Sequence, residues 1–407
     1  MQTIIDPKLL DRLRVGPLAQ YLDVYLARIE REGFVASSVP CQAYAIARFS
    51  RWLQKQCIHL EDLRDVTVQE FLARDPGVVH YPERATINRL LLILREIGVL
   101  KAELPQPLTP VEECVNEYRR YLVGQRGLSA ASLPNYLSFV EQFLSGRTSG
   151  RELRLTELSA SDVTRFIESH APNLSPGRAK LLVTALRSFL RYLLHQGKIS
   201  VNLVPCVLPV ASWSFSAIPK SLPPGAVQRI LAKHDRTTPV GRRNYAILLL
   251  LARLGLRAGE IVALNLEDLD WDKGLIRFRR KGNRWIQLPL PADVGGAIVA
   301  YLQSDRPRCS SRRVFLRQCA PVRGFAHTIT VSSIVRRALI RAGMNNGRTG
   351  AHLFRHTLAV DLLRNGASLE EIGDLLSHRS PNTTALYAKV DVDSLRSIAL
   401  PWPGGAR

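Results

Sequence analysis

Acid, paired cysteines and long apolar runs are all scarce in this chain, and each shortage excludes something. The six cysteines (Cys41, Cys57, Cys114, Cys206, Cys309 and Cys319) are scattered and form no C-x-x-C pair. They read as thiols of a reducing cytoplasm, not as a disulfide or zinc framework. The most apolar run, residues 246–252, is far short of the roughly 18 residues that span a bilayer. The opening Met-Gln-Thr-Ile-Ile-Asp lacks the basic-then-apolar pattern of a signal peptide, so no membrane partner is expected. No G-x-x-x-x-G-K-[ST] loop and no metal-ligand spacing occurs. Lys and Arg outnumber Asp and Glu by 56 to 35, a formal net charge of +21. Such an excess favours a polyanionic partner, either nucleic acid or an acidic membrane surface.

The charge is unevenly placed. From residue 223 onward, 29 basic side chains stand against 14 acidic ones, so this segment carries +15 of the total. Within it, residues 306–360 hold eleven arginines, no lysine and no acid. A basic run is often only a solvated face, but with no acid interspersed it reads as a phosphate-tracking surface.

The first 200 residues read as helices. Residues 18–32 and 86–98 have apolar side chains at helical spacing, and Gly98 is a plausible stop. The string Gly33-Phe-Val-Ala-Ser-Ser-Val-Pro40 aligns without gaps onto Gly127-Leu-Ser-Ala-Ala-Ser-Leu-Pro134, and the register continues to Phe49 over Phe143. Each copy continues with an amphipathic helix, a short polar joint (Val66-Thr67, Leu158-Ser159) and a long Leu-rich helix, over 84–98 and 178–196. The plan is that of two helical modules related by duplication, 1–105 and 110–200. Pro205, Pro209, Pro219, Pro223 and Pro224 mark an extended linker over 201–222. A C-terminal domain follows over 223–407, with a buried helix over 240–256. After it comes a β-hairpin, Leu275-Ile-Arg-Phe-Arg-Arg and Arg284-Trp-Ile-Gln-Leu, joined by a Gly-Asn turn.

The chemistry sits in this last domain. His352 and Arg355 are three apart, which places them on one helix face. A guanidinium fork meets two non-bridging phosphate oxygens at once, and an imidazole beside it can move a proton near neutral pH. Arg257 directly follows the buried helix, where Glu260, one turn on, can orient it. Lys281 occupies the hairpin turn, from which it can protonate a leaving alkoxide. Tyr387 lies nine residues after His378, beyond a helix start at Ser380-Pro381. A tyrosine with a pKa near 10 becomes a nucleophile only in a positive environment with a base at hand. Taken singly, each of these residues also fits a structural role; their order and spacing carry the signal.

Arg…Lys…His-x-x-Arg…His…Tyr resembles the tyrosine recombinase, or phage integrase, family. The matching strings are Gly255-Leu-Arg257 with Glu260, Lys281-Gly-Asn-Arg284 with Leu288-Pro-Leu290, His352-Leu-Phe-Arg355-His356-Thr357, Leu375-Leu-Ser-His378, and Thr383-Thr-Ala-Leu-Tyr387. Ser377 stands where glycine is usual and Phe354 where leucine is usual, both read as packing positions. The resemblance covers 223–390 and extends more weakly to 112–200. It implies a mainly α, multidomain fold: two helical SAM-like DNA-binding modules and a mixed α/β catalytic domain with a small antiparallel sheet. It further implies that Tyr387 attacks a backbone phosphate to give a 3′-phosphotyrosyl link. Arg257, Arg355 and His378 would hold the non-bridging oxygens, Lys281 would act as general acid, and His352 would shuttle the proton. No metal or other cofactor is implied. The implied partners are double-stranded DNA, further copies of the chain in a synaptic tetramer, and partner recombinases of a mobile element. A type IB-like topoisomerase and a non-catalytic DNA-binding protein on the same fold are the alternatives. Only loss of Tyr387 or of one of the basic residues would mark the latter.

Overall fold

The computed structural model describes residues 6–73, 81–100, 108–130, 132–149, 152–210, 221–280, 284–344, 350–377 and 380–390. By contact the chain divides into two compact units, Met1–Lys101 with Ala217–Arg407, and Ala102–Ser216. Helices dominate, and their starts follow the capping chemistry of the sequence. Thr109, for example, accepts from the Glu112 amide at 3.3 Å while the Glu112 carboxylate accepts from the Thr109 amide at 2.8 Å.

The N-terminal part holds α1 (Pro7–Leu13), α2 (Leu22–Arg31), α3 (Val39–Lys55), α4 (Asp65–Ala73) and α5 (Tyr81–Glu96). Tyr25, Ile46, Phe49, Phe71 and Leu90 meet in its core. The next part holds α6 (Pro110–Gly124), α7 (Leu133–Ser145), the short strands β1 (Thr148–Ser149) and β2 (Glu152–Leu153), α8 (Ala160–His170) and α9 (Pro176–His195). Its separate core contains Tyr118, Val140, Phe143 and Phe189. The repeat read from sequence has a three-dimensional counterpart in α3 and α7. At the same offset that sets Phe49 over Phe143, Ala43 and Leu137, Ala45 and Phe139, Ile46 and Val140, and Ser50 and Leu144 are all buried. Two details differ from the expectation. Val66 and Thr67 are not a joint but lie inside α4, whereas Ser159 does cap α8. Residues 201–210 are also anchored rather than free. Leu203 and Val207 join the core of the second module, and the Arg187 guanidinium donates to the Val207 carbonyl at 2.7 and 3.1 Å. Residues 211–220 lie outside the described residues.

The C-terminal part is built around α11 (Pro239–Leu254), which follows α10 (Ala226–Ala232). Residues 246–251 of α11 are buried without interruption, so this helix has neighbours on every side. Pro239 starts it, Thr238 caps it and Gly255 ends it in the left-handed region at φ +58°. Around it lie α12 (Ala258–Ala263), α13 (Ala292–Ser304), α14 (Ile329–Arg341), α15 (Ala351–Arg364), α16 (Leu369–Leu376) and α17 (Pro381–Ala385). The antiparallel sheet runs β3-β4-β5 with β3 at Leu269–Asp270, β4 at Leu275–Arg280 and β5 at Arg284–Pro289. Arg280 pairs with Arg284, so the two strands flank the turn where the sequence reading placed it, and the connecting residues 281–283 lie outside the described residues. The chain enters this domain pinned to α15: the Leu222 amide donates to Thr357 Oγ1 at 2.9 Å. The result is the mainly α, multidomain fold with a small antiparallel sheet that the sequence implied. Among the described residues no helix is long and apolar enough to cross a membrane.

Candidate active site

Two helix ends converge on Arg355. It points from α15 into the protein, where only 3% of its surface is exposed. Its guanidinium donates to the Gly255 carbonyl at the end of α11 (2.7 Å) and to the Leu376 carbonyl at the end of α16 (2.5 Å). Both acceptors are the negative ends of helices, so the cation is favoured there and its fork is held rigidly. Gly255 is required twice at this junction. Its φ of +58° suits glycine, and a Cβ at this position would come within 2.8 Å of the Leu376 side chain.

Gly255 and Leu256 lead directly into Arg257, the N-cap of α12. The buried Glu260 carboxylate accepts from the Arg257 amide at 2.8 Å and from its guanidinium at 3.0 Å. The orienting role read for Glu260 is therefore realised, with about a third of the Arg257 side chain open to solvent. Arg257, Glu260, Arg279, Thr328 and His352 line an open cleft of about 670 Å3. His352 lies in the first turn of α15 and is exposed on the cleft side. Partial desolvation by the cleft walls, and then the charges of Arg355 and Arg257, push its pKa below the ordinary histidine value; Glu260 opposes this.

Tyr387 is only 2% exposed. It opens the 3-10 turn Tyr387–Val390, just past α17, rather than lying within the helix. Pro381 does occupy the first position of α17, with Ser380 before it. The phenol meets a residue that had no assigned role: His356 Nδ1 is 2.9 Å from Tyr387 Oη. The two rings are tilted with centroids 5.7 Å apart, and the His352 and His356 ring centroids are 6.3 Å apart. Burial raises the Tyr387 pKa, while Arg355 and Arg257 pull it back down. Burial, then His352 and Arg355, lower the pKa of His356, so its imidazole is neutral at pH 7. The phenol thus meets an imidazole nitrogen inside a field of two guanidinium groups.

Of the six residues read from sequence, the structure gathers Arg257, His352, Arg355 and Tyr387. Lys281 and His378 lie outside the described residues. His356 was missed, although it stands in the same His-x-x-Arg-His string. Its spacing of four from His352 signalled a shared face, but its contact with Tyr387 spans 31 residues and follows from packing alone. The arginine stretch needs a correction as well. Arg306, Arg313 and Arg317 donate to main-chain carbonyls and Arg355 is buried, so these four secure the fold. Arg308, Arg323, Arg336, Arg337 and Arg341 remain exposed, as does Arg312, which pairs with Glu267. Among the described residues no cluster of three or more His, Cys, Asp or Glu could hold a metal ion.

Comparison with known proteins gives a consistent picture. The family described as "Phage integrase family" matches residues 220–393. "Phage integrase, N-terminal SAM-like domain" matches residues 115–197. "Putative integrase/recombinase y4rA" of Sinorhizobium fredii is 44% identical over 400 residues, covering 98% of each chain. "Tyrosine recombinase XerD" of Listeria monocytogenes is 28% identical over 71% of this chain and 97% of its own. The crystal structure of XerH site-specific recombinase bound to palindromic difH substrate shares the fold, with a TM-score of 0.55 at 18% identity. The match covers 76% of this chain and 88% of that one.

Proposed function

Because this chain belongs to the phage integrase family of tyrosine recombinases, we propose that it cuts and rejoins duplex DNA at specific sites through a covalent link to Tyr387. Tyr387 Oη attacks a backbone phosphorus and the bond to the 5′ oxygen breaks. The product is a 3′-phosphotyrosyl ester and a free 5′-hydroxyl. The phenol proton passes to His356, whose Nδ1 lies 2.9 Å from the phenol oxygen. Arg257, Arg355 and His378 stabilise the non-bridging oxygens as charge builds on them, and Lys281 protonates the departing 5′ oxygen. His352, beside His356, relays the proton to the cleft. A partner strand's 5′-hydroxyl then reverses each step. One phosphate ester is exchanged for another, so the cycle consumes no nucleotide and needs no metal-activated water. Exchange between two duplexes involves four cleavage centres, which four protomers in one synaptic assembly would supply. Partner recombinases and a mobile-element setting belong to the same reading.

The observation that carries this reading is the 2.9 Å contact between Tyr387 Oη and His356 Nδ1, within the influence of Arg257 and Arg355. The experiment uses a nicked duplex, spanning the DNA that flanks the coding sequence, with a bridging phosphorothiolate at the cleavage position. A protein–DNA adduct stable to denaturant should form and should survive EDTA. Tyr387→Phe should abolish the adduct while retaining binding. An adduct that persists in Tyr387→Phe moves the nucleophile elsewhere, and loss of the wild-type adduct in EDTA defeats the metal-free scheme.

A further inference from the structure

The cleft beside the site is larger than one phosphate requires. Its volume of about 670 Å3 lies within the roughly 300–1,000 Å3 of pockets that hold a whole small molecule. Besides Arg257 and His352, a second guanidinium lines it, that of Arg279. Arg279 stands on β4, outside every string that carried the family resemblance. The alternation of the hairpin turns it outward. Ile276 and Phe278 are buried, while Arg277, Arg279, Trp285 and Gln287 form the exposed face. Neither strand contains an acid.

Two observations separate Arg279 from the other exposed arginines of this domain. The first is its place. Arg277, two residues away on the same face, donates to the Glu267 carbonyl at 2.9 Å and does not line the cleft. The second is the charge balance of the cleft. Glu260 is its only carboxylate, is buried, and already accepts from both the amide and the guanidinium of Arg257. Arg279 has no ion-pair partner among the described residues, so its charge faces the cleft uncompensated. Thr328 and Ser332, at the start of α14, line the same space. The rest of the lining is small, with Ala258, Gly259 and Ala263 from α12 and Gly350 before α15. A Cβ on Gly350 would meet nothing within 4 Å, and its φ of −144° suits any residue. Neither packing nor backbone demands that glycine; its effect is to leave the space clear.

We propose that Arg279 is a further substrate-binding residue, which holds the phosphodiester next to the scissile one on the cut strand. The proposal rests on the reading of the chain as a DNA recombinase. A single phosphate at Arg257 does not fill the cleft, and phosphates recur about every 3.4 Å of helix axis along one strand. A strand seated at Arg257 therefore brings a second phosphate with it. Arg279 meets that phosphate with a planar fork, and the Thr328 and Ser332 hydroxyls are further donors. Such contacts fix the register of a strand without reading its sequence. Register is what attack by Tyr387 needs, since a misplacement of about 1 Å costs on the order of 10²-fold in rate.

The test is a chemical double-mutant cycle. Full-length wild-type protein and Arg279→Gln are each given the nicked phosphorothiolate duplex in a series of versions. Each version has one phosphodiester near the cleavage position replaced by an uncharged methylphosphonate, and binding and adduct formation are measured for all. In wild type, the replacement next to the cleavage position should weaken binding by roughly 10- to 100-fold, the loss of one charge-assisted hydrogen bond. In Arg279→Gln that position should no longer matter, while the others keep their effects. On unmodified DNA the variant's slope of log K against log salt should be smaller by about 0.9. Arg279→Lys should restore the slope but only part of the adduct rate, because an ammonium keeps the charge and loses the fork. Arg277→Gln should retain the wild-type pattern. The same methylphosphonate pattern in wild type and Arg279→Gln would overturn the proposal, as would an equal loss in Arg277→Gln. So would a lost sensitivity only at positions away from the cleavage site, since Arg279 would then bind DNA outside the cleft. Absence of any Tyr387 adduct in wild type would instead strike the recombinase reading itself.

Discussion

His356 and Tyr387 form a pair whose two pKa values are pushed apart by one environment. Burial makes the phenol harder to ionise and the imidazole harder to charge, so at neutral pH both are uncharged. Arg355 has opposite consequences for the two. It favours phenolate, as Arg257 also does, and it disfavours imidazolium, which makes proton transfer along the 2.9 Å contact depend on where the proton goes next. His352, adjacent to His356 and open to the cleft, is the available exit. If His356 is the base, both His356→Ala and His356→Gln should slow adduct formation by roughly 10²–10⁴-fold, the range for a positioned general base. The wild-type rate should fall as pH drops through the His356 pKa, which lies below 6.5. Both variants should lose that acidic limb and gain rate with rising pH. Rapid-quench measurement of the adduct across pH tests this. A His356→Gln protein with wild-type rate and profile would reduce His356 to a hydrogen-bonding support, because glutamine can replace that bond but cannot take a proton.

At the scale of elements, the site is a junction of the ends of α11 and α16 on the flank of α15, and two backbone conformations hold it. Gly255 adopts φ +58° against Leu376, and Ser377 adopts φ +44° at the end of α16. Both residues were visible in the sequence, but their roles were not. Gly255 appeared only as part of an arginine motif. Ser377, read as a packing position, is instead a position that favours glycine for its backbone, since a left-handed residue with a Cβ is strained by about 1–2 kcal/mol. Periodicity and capping made α11, α3 and the hairpin legible, because those signals are local. The sign of φ at a helix end is fixed by what the chain must reach next, and so was not. Opposite substitutions should therefore have opposite effects. Gly255→Ala should destabilise the protein by about 2 kcal/mol, through positive φ and displacement of Leu376, and should slow cleavage because the Leu376 carbonyl also holds Arg355. Ser377→Gly should stabilise by up to about 1 kcal/mol. Urea unfolding monitored by circular dichroism reads both. A Gly255→Ala protein as stable as wild type would remove the argument for a strained, close-packed junction.

Across the whole molecule, the same burial that keeps the site histidines neutral links stability to pH. His234, in the C-terminal domain near α10, is buried and bonds the Gly241 carbonyl through Nε2 at 3.2 Å. Burial lowers its pKa foremost; the Gly241 bond and Asp235 oppose this, while Arg341 and Arg236 reinforce it. His352 and His356 are shifted in the same direction, by partial burial and by the cations around them. For each of the three the folded-state pKa lies below the unfolded value of 6.5. Between the two values the unfolded chain binds more protons than the folded one, so stability rises with pH in that window. The contribution is complete above about pH 6.5 and is lost as pH falls toward the folded-state values. The depressed carboxylates, such as Asp305 and Asp235, begin from 3.8 and change protonation only at still lower pH. Urea unfolding at constant ionic strength should therefore give a plateau from pH 8 to about 6.5 and a decline toward pH 5. His234→Gln should shift the whole curve but make the decline shallower, because one of its three sources is gone. Stability that is level or increasing from pH 7 down to pH 5 would mean that these imidazoles are protonated in the folded protein. The neutral acceptor facing Tyr387 would then be absent too.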